Sequence, residues 1–216
     1  MRHSSGFIEE GQILEWIHGC KDETHQKICA NMPDSKIQDL MVINCSTRRL
    51  EQLPARTEYV CSSYRWGVGE LISAFSSRLP SCVAPLIEDC ILLVQILGLK
   101  YLWVDRYCIP QDDPGERRRL IRLMGSIYSN ALLTIIAAAG RDPSYGLPGV
   151  GFPRGGIAPV SIDSITLESW NRRAYDDIAG SVERSEWNER AWTYQEALLS
   201  RRRLVFTENG LYFQCG

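Results

Sequence analysis

Apolar positions along the chain fall into short β-prone runs separated by longer runs at helical spacing. Glu58 to Tyr64 is a β-prone run that stops at Arg65-Trp66-Gly67-Val68-Gly69, the pattern of a buried strand ending in a glycine-containing loop. Val83, Leu86, Ile87, Cys90, Val94 and Leu97 recur at helical spacing, with Glu88, Asp89 and Gln95 on other sides, which predicts a core-facing helix over 83–97. Lys100 to Asp105 then reads as a second strand, parallel to the first because a helical crossover joins them, with Asp105 at its end. Asp113-Pro114-Gly115-Glu116 combines an N-cap residue, proline at the first helical position and glutamate three residues after the cap; Leu120, Met124 and Ile127 continue the helical period. Arg117 to Arg119 are most simply its solvated face. The continuous apolar run Ala131 to Ala139 is that of a central parallel strand buried on both sides. Three strands alternating with helices predict an α/β fold with a doubly wound, mainly parallel sheet.

The flanks are less regular. Phe7 to Ala30 reads as a helix with Gly19 weakening its middle, and 36–56 as irregular, with a short strand at Leu40 to Asn44 and a turn near Pro54. Gly140 to Gly156 is a long loop that lacks the Gly-Lys-Ser/Thr of a phosphate loop. Ala158 to Leu167 supplies strand pieces, and the polar stretch Glu168 to Glu186 is an insertion long enough to act as a lid. Arg201 to Arg203 are placed where cations favour a helix C-terminus. Two strands, Leu204 to Phe206 and Leu211 to Cys215, then surround the hairpin signal Asn209-Gly210. The expected organisation is an N-terminal helical extension over 1–57 and one domain over 58–216 with an insertion at about 140–186.

Composition narrows the partners. The 216 residues are 44% hydrophobic and 23% charged with a formal net charge of -2, an ordinary globular balance with no basic field for nucleic acid or anionic lipid. Met1 to Ser5 has no apolar signal core, and the most apolar runs fall far short of the roughly twenty residues of a membrane span. The eight cysteines are scattered, several inside apolar runs, and read as reduced thiols of a cytoplasmic protein. Cys20, His25 and Cys29 are metal-type residues, but without a paired Cys-x-x-Cys or an evident fourth ligand the packing reading is preferred, and no metal is assigned.

Candidate chemistry concentrates in Arg190 to Ser200. On a helix Trp192 and Glu196 stand one turn apart on one side, while Ala191, Tyr194 and Leu198 are expected to face the core. Alone, such a pair is more often a packed ring and a solvated charge. No histidine follows His25, so Ser-His-Asp and Cys-His hydrolases fit poorly, and Ser62 and Cys108 read as core or loop residues.

Four ordered blocks decide between these readings: Tyr59 to Gly67; Leu102 to Asp113; Glu116-Arg117 with Met124 and Ile127-Tyr128; and Arg190 to Glu196. With Gly146-Leu147-Pro148-Gly149, they resemble the fungal heterokaryon incompatibility (HET) domain over roughly Glu58 to Cys215. The chain departs from the family pattern at Cys61-Ser62 (more often Ala-Leu), Pro110 (Asn) and Ala191 (Gly), but keeps Tyr64, Trp66, Asp105, Gln111, Trp192 and Glu196.

HET domains are in turn similar to Toll/interleukin-1 receptor (TIR) domains, so the resemblance implies a flavodoxin-like sheet. Catalytic TIR domains cleave NAD+ at the nicotinamide N-glycosidic bond with a glutamate on a helix after the central strand and a tryptophan one turn before it. Trp192 and Glu196 look like that pair. The resemblance makes Glu196 the catalytic carboxylate and Trp192, Tyr64, Arg65, Trp66, Asp105 and Gln111 substrate-binding candidates; NAD+ is the substrate and no cofactor is needed. Packing with a surface cation is the competing reading of Tyr64, Arg65 and Trp66, and a loop cap that of Asp105. The implied setting is nonself recognition, innate immunity and programmed cell death, with activation by self-assembly or by an upstream sensor protein. The alternative is a non-catalytic TIR-like signalling or oligomerisation module.

Overall fold

The computed structural model describes residues 6–20, 25, 37, 39–67, 77–154, 160–162, 165–167, 180–189, 191–208 and 210–216, with backbone alone for 160–162, 165–167, 191, 192, 194 and 195. Seven strands form one mixed sheet: β1 (Met41–Asn44), β2 (Arg49–Gln52), β3 (Val60–Ser63), β4 (Tyr101–Trp103), β5 (Leu133–Ala137), β8 (Arg202–Phe206) and β9 (Leu211–Cys215). Across the sheet they run β2-β1-β4-β3-β5-β8-β9. The central four, β4, β3, β5 and β8, are parallel, while β1, β2 and β9 add antiparallel edges. A separate hairpin pairs β6 (Val160–Ile162) with β7 (Ile165–Leu167).

The main helices are α1 (Glu10–Gly19), α2 (Pro85–Ile96), α3 (Asp105–Cys108), α4 (Pro114–Asn130) and α5 (Ala191–Leu199), and residues 180–183 are also helical. Right-handed crossovers in this strand order place α2 on one face of the sheet and α4 and α5 on the other. Tyr59 Oη and Cys61 Sγ, on the same side of β3, both donate to Ile127 O of α4 (2.6 and 3.9 Å). On β9, Trp16 of α1 stacks against Phe213, while Tyr212, pointing to the opposite side, packs against the cluster of Ile136, Ala138, Trp187 and Val205 on which Ala197 of α5 also packs. Thus α1 shares the α2 face. All five residues of β5 are buried, as its uninterrupted apolar run requires. Asp113 caps α4 as its sequence predicts, accepting from Gly115 N (2.8 Å) and Glu116 N (2.9 Å). Arg117 and Arg118 are exposed, whereas Arg119 pairs with Glu116.

Local expectations are corrected in four places. Gly19 ends α1 rather than interrupting it, with the Cys20 amide closing onto Trp16 O (3.1 Å). The stretch read as irregular contains β2, whose only buried side chain, Leu50, is too weak an apolar signal to predict a strand. Strand β4 stops at Trp103, so Asp105 begins α3 instead of ending the strand. Arg202 and Arg203 lie in β8 and not at a helix end, although Arg203 Nη1 still donates to Ala197 O in the last turn of α5 (2.9 Å). Residues 41–52, ahead of position 58, supply two strands of the same sheet. Most of 21–36 and of the lid-length stretch (168–179) lies outside the described residues. The described cysteines are free thiols, and no described helix is long and apolar enough to cross a membrane.

Candidate active site at the carboxyl ends of β3 and β5

The parallel strands occur in the chain order second, first, third, fourth across the sheet. The crossover leaving β3 runs to β4 and the one leaving β5 runs the opposite way to β8, which opens a crevice at the carboxyl ends of β3 and β5, where open α/β sheets bind ligands. Ser63 is the last residue of β3 and pairs in register with Ile136 near the end of β5.

Helix α5 lies over that crevice with a polar face inward. Thr193, Glu196 and Ser200, spaced three and four residues apart, are buried, while Leu198 is 63% exposed. For Leu198 this overturns the expectation that it faces the core; the side chains of Ala191 and Tyr194, expected on the same side, lie outside the described residues. The reason is local: α5 covers two strand hydroxyls, Ser63 at the end of β3 and Thr134 near the start of β5, so its inward stripe carries matching hydrogen-bonding groups. Glu196 Oε2 accepts from Ser63 Oγ (2.5 Å), and Ser200 Oγ lies 2.8 Å from Thr134 Oγ1 of β5. Thr193 Oγ1 donates to Trp187 O (2.6 Å), tying the helix start to the preceding turn.

Trp187 completes the arrangement. Its ring is buried against Ile136, Ala138 and Val205, and its Nε1–H donates to Ser63 Oγ (2.9 Å). Ser63 therefore accepts from an indole and donates to a carboxylate, which fixes the orientation of Glu196. Neither Ser63 as a partner nor Trp187 emerged from sequence reasoning. A usable signal exists in the strand alternation: Tyr59, Cys61 and Ser63 share one face, and a hydroxyl at the end of that apolar face needs a buried partner.

The remaining candidates form a second group at the ends of β3 and β4. Trp66 Nε1 donates to both carboxylate oxygens of Asp105 (2.9 and 3.1 Å), and Arg106 N donates to Oδ1 (2.7 Å). Trp66 is 38% exposed, so an aromatic edge held by a carboxylate stands at the surface. Tyr64 is buried; burial and the nearby Asp105 charge push its phenol well above the ordinary range. Arg65 pairs with Glu186, which Arg141 Nε also approaches (3.5 Å), so the turn carrying Trp187 is bound to the end of β3. Gln111 donates to Ile109 O (2.9 Å) within its own loop. Trp192 belongs to α5, one turn before Glu196, but its side chain lies outside the described residues.

The two carboxylates share a floor. Burial, then the charges of Glu196 and Asp105, push the Tyr128 phenol up; burial, Cys108 and the same two carboxylates raise the Cys61 thiol. Ser62 and Cys108 are buried in the core, and Cys108 is held in its thiol form by burial. The site thus offers an oriented carboxylate and a surface aromatic, with no described histidine near it. Among the described residues the metal-type cluster is elsewhere, at Cys20, His25 and Cys215.

The sequence model of the family described as Heterokaryon incompatibility protein (HET) matches residues 59–196, more than half of the chain, from the start of β3 to Glu196. No curated protein and no solved structure matches the chain. By the family match, with its blocks on β3, β4, α4 and α5, the chain belongs to the heterokaryon incompatibility (HET) family.

Proposed function

We propose that this HET chain acts in heterokaryon incompatibility by cleaving NAD+ at the nicotinamide N-glycosidic bond, with Glu196 as the catalytic carboxylate. The observation that carries the reading is the placement of Glu196: a buried carboxylate, oriented by Ser63 and Trp187, at the carboxyl end of the strand where the sheet order reverses. The four-strand order is also that of flavodoxin-like sheets, the class that the TIR resemblance implies.

In the proposed reaction the bond from ribose C1′ to the pyridinium nitrogen breaks with its electron pair going to nicotinamide. The oxocarbenium-like centre left at C1′ is stabilised by the Glu196 carboxylate. Water then forms the new C1′–O bond and loses its proton to solvent through that carboxylate, giving ADP-ribose. Trp192, one turn earlier, stacks on the nicotinamide ring, and the Trp66–Asp105 pair borders the ribose. Tyr64, Arg65 and Gln111 complete the wall of the nucleotide site. Glu196 is only 8% exposed, so NAD+ enters when the segment 180–189, which carries Trp187, shifts. Self-assembly or a sensor partner supplies that shift.

The same burial supports a second reading. A carboxylate tied to Ser63 can serve as a clasp holding α5 on the sheet in a non-catalytic assembly module. Concentrated protein incubated with NAD+ beside Glu196→Ala and Glu196→Gln separates the two. Catalysis predicts nicotinamide release by wild type and its loss in both variants with Glu196→Gln still folded; the clasp predicts no release by any of the three and lower melting temperatures for both variants.

A further inference from the structure

Beyond the NAD+ site, a second group of chemistry-bearing side chains stands where the N-terminal helix meets the last strand. Trp16 of α1 stacks on Phe213 of β9, with ring centroids 6.1 Å apart and planes at 22°. Cys20 follows Trp16 by one helical turn and Cys215 follows Phe213 by two strand positions, so each lies on the same face as its aromatic neighbour. The stack therefore brings the two sulfurs together. His25 joins them: its ring nitrogen and both sulfurs lie within 4.8 Å of one another.

We propose that Cys20, His25 and Cys215 form a zinc-type metal site that fastens the end of α1 to β9. The donor set is two thiolates and one imidazole, which suits a tetrahedral d¹⁰ ion. With Zn–S near 2.3 Å and Zn–N near 2.0–2.1 Å, a tetrahedral ion holds its sulfur and nitrogen ligands about 3.6 Å apart. Cys215 Sγ lies 3.6 Å from His25 Nδ1. An outer contact is also in place: Arg202, buried and paired in register with Cys215, donates from Nε to Cys20 Sγ (3.2 Å). Hydrogen bonds of this kind to a ligating sulfur orient it and offset its charge. Both thiols lose their protons to solvent on binding, so uptake is weaker at low pH. The fourth corner of the tetrahedron takes water or a further side chain. The expectation from spacing alone involved Cys29, which lies outside the described residues; the fold supplies Cys215 from the far end of the chain in its place.

Elemental analysis of the full chain, purified without chelators or metal-affinity resin and then equilibrated with Zn2+, tests the proposal. About one zinc per chain is expected for wild type and for Cys82→Ser, which removes an exposed cysteine away from the cluster. Cys20→Ser and Cys215→Ser are expected to lose the ion. His25 is exposed, so His25→Ala spares the core, and it is expected to lower Zn2+ affinity at least about tenfold, the lower bound for losing even an outer-shell partner. Co2+ added to metal-free wild type is expected to give the thiolate-to-metal absorption of a tetrahedral site. Wild type without stoichiometric metal, a Cys215→Ser variant that binds as wild type does, or a Cys20–Cys215 disulfide in the chain as isolated under reducing conditions overturns the site.

Discussion

The single hydroxyl proton of Ser63 is directed at Glu196, and its lone pairs receive the Trp187 indole N–H. Replacing Ser63 with alanine leaves both partners without that contact in a buried setting. The expected cost is about 1–3 kcal/mol, the penalty of stranding buried polar groups. Trp187→Phe keeps most of the ring packing but removes the donor, with an expected loss of about 0.5–1.5 kcal/mol. Urea denaturation of the two variants and of the double mutant measures this; coupling near zero contradicts the relay. The three-part contact was only partly legible in the sequence. Glu196 stood out through the ordered blocks, whereas Ser63 is one of two adjacent serines, and which of them faces α5 depends on the register of β3.

Among elements, the loop after β5 is held by α2. Asp89, buried on α2, accepts from Leu147 N (2.7 Å). Gly146, at φ 78°, and Gly151 leave room for that carboxylate; a Cβ on Gly151 would stand 2.2 Å from Asp89 Oδ1. Gly151→Ala and Asp89→Ala are therefore expected to loosen the loop over 140–154 while leaving the sheet folded. Limited proteolysis should show new cleavage there, and a wild-type digestion pattern for both contradicts the clamp. Elements with a local signal were readable: the Asp113 cap of α4, the helical spacing of α2, and the β8–β9 hairpin. Those that failed were decided by tertiary contacts. The inward face of α5 is polar because it meets strand hydroxyls, so hydrophobic periodicity pointed Leu198 the wrong way. Arg202 enters a strand because its guanidinium finds buried acceptors, Cys20 Sγ and Leu132 O, that no window of sequence displays.

At the scale of the whole molecule, the core is closed around protonated thiols. Burial pushes Cys45 and Cys108 from an ordinary value of 9.0 up to about 12, and raises Cys90 and Cys61 as well. The folded state thus holds these protons more tightly than the unfolded chain does. Their contribution is intact below the unfolded thiol value and is lost as pH rises from about 9 toward 12. Denaturant midpoints are expected to fall across that window, with Cys82 alkylated well before the core thiols at neutral pH; core thiols that react as fast as Cys82 in the native state contradict it. The alternation of strands and helices made the α/β class and the parallel centre legible in advance. The antiparallel edge β2 and the pairing of chain ends through Trp16 and Phe213 were not, because they rest on contacts between distant segments.

The central claim is that Glu196 acts on NAD+, and the rate of nicotinamide release at high protein concentration tests it most directly. Wild type is expected to release nicotinamide with time, and Glu196→Gln, isosteric and uncharged, to do so at least about 10²-fold more slowly. Equal rates for the two proteins, or no release by wild type once it has assembled, contradict the account.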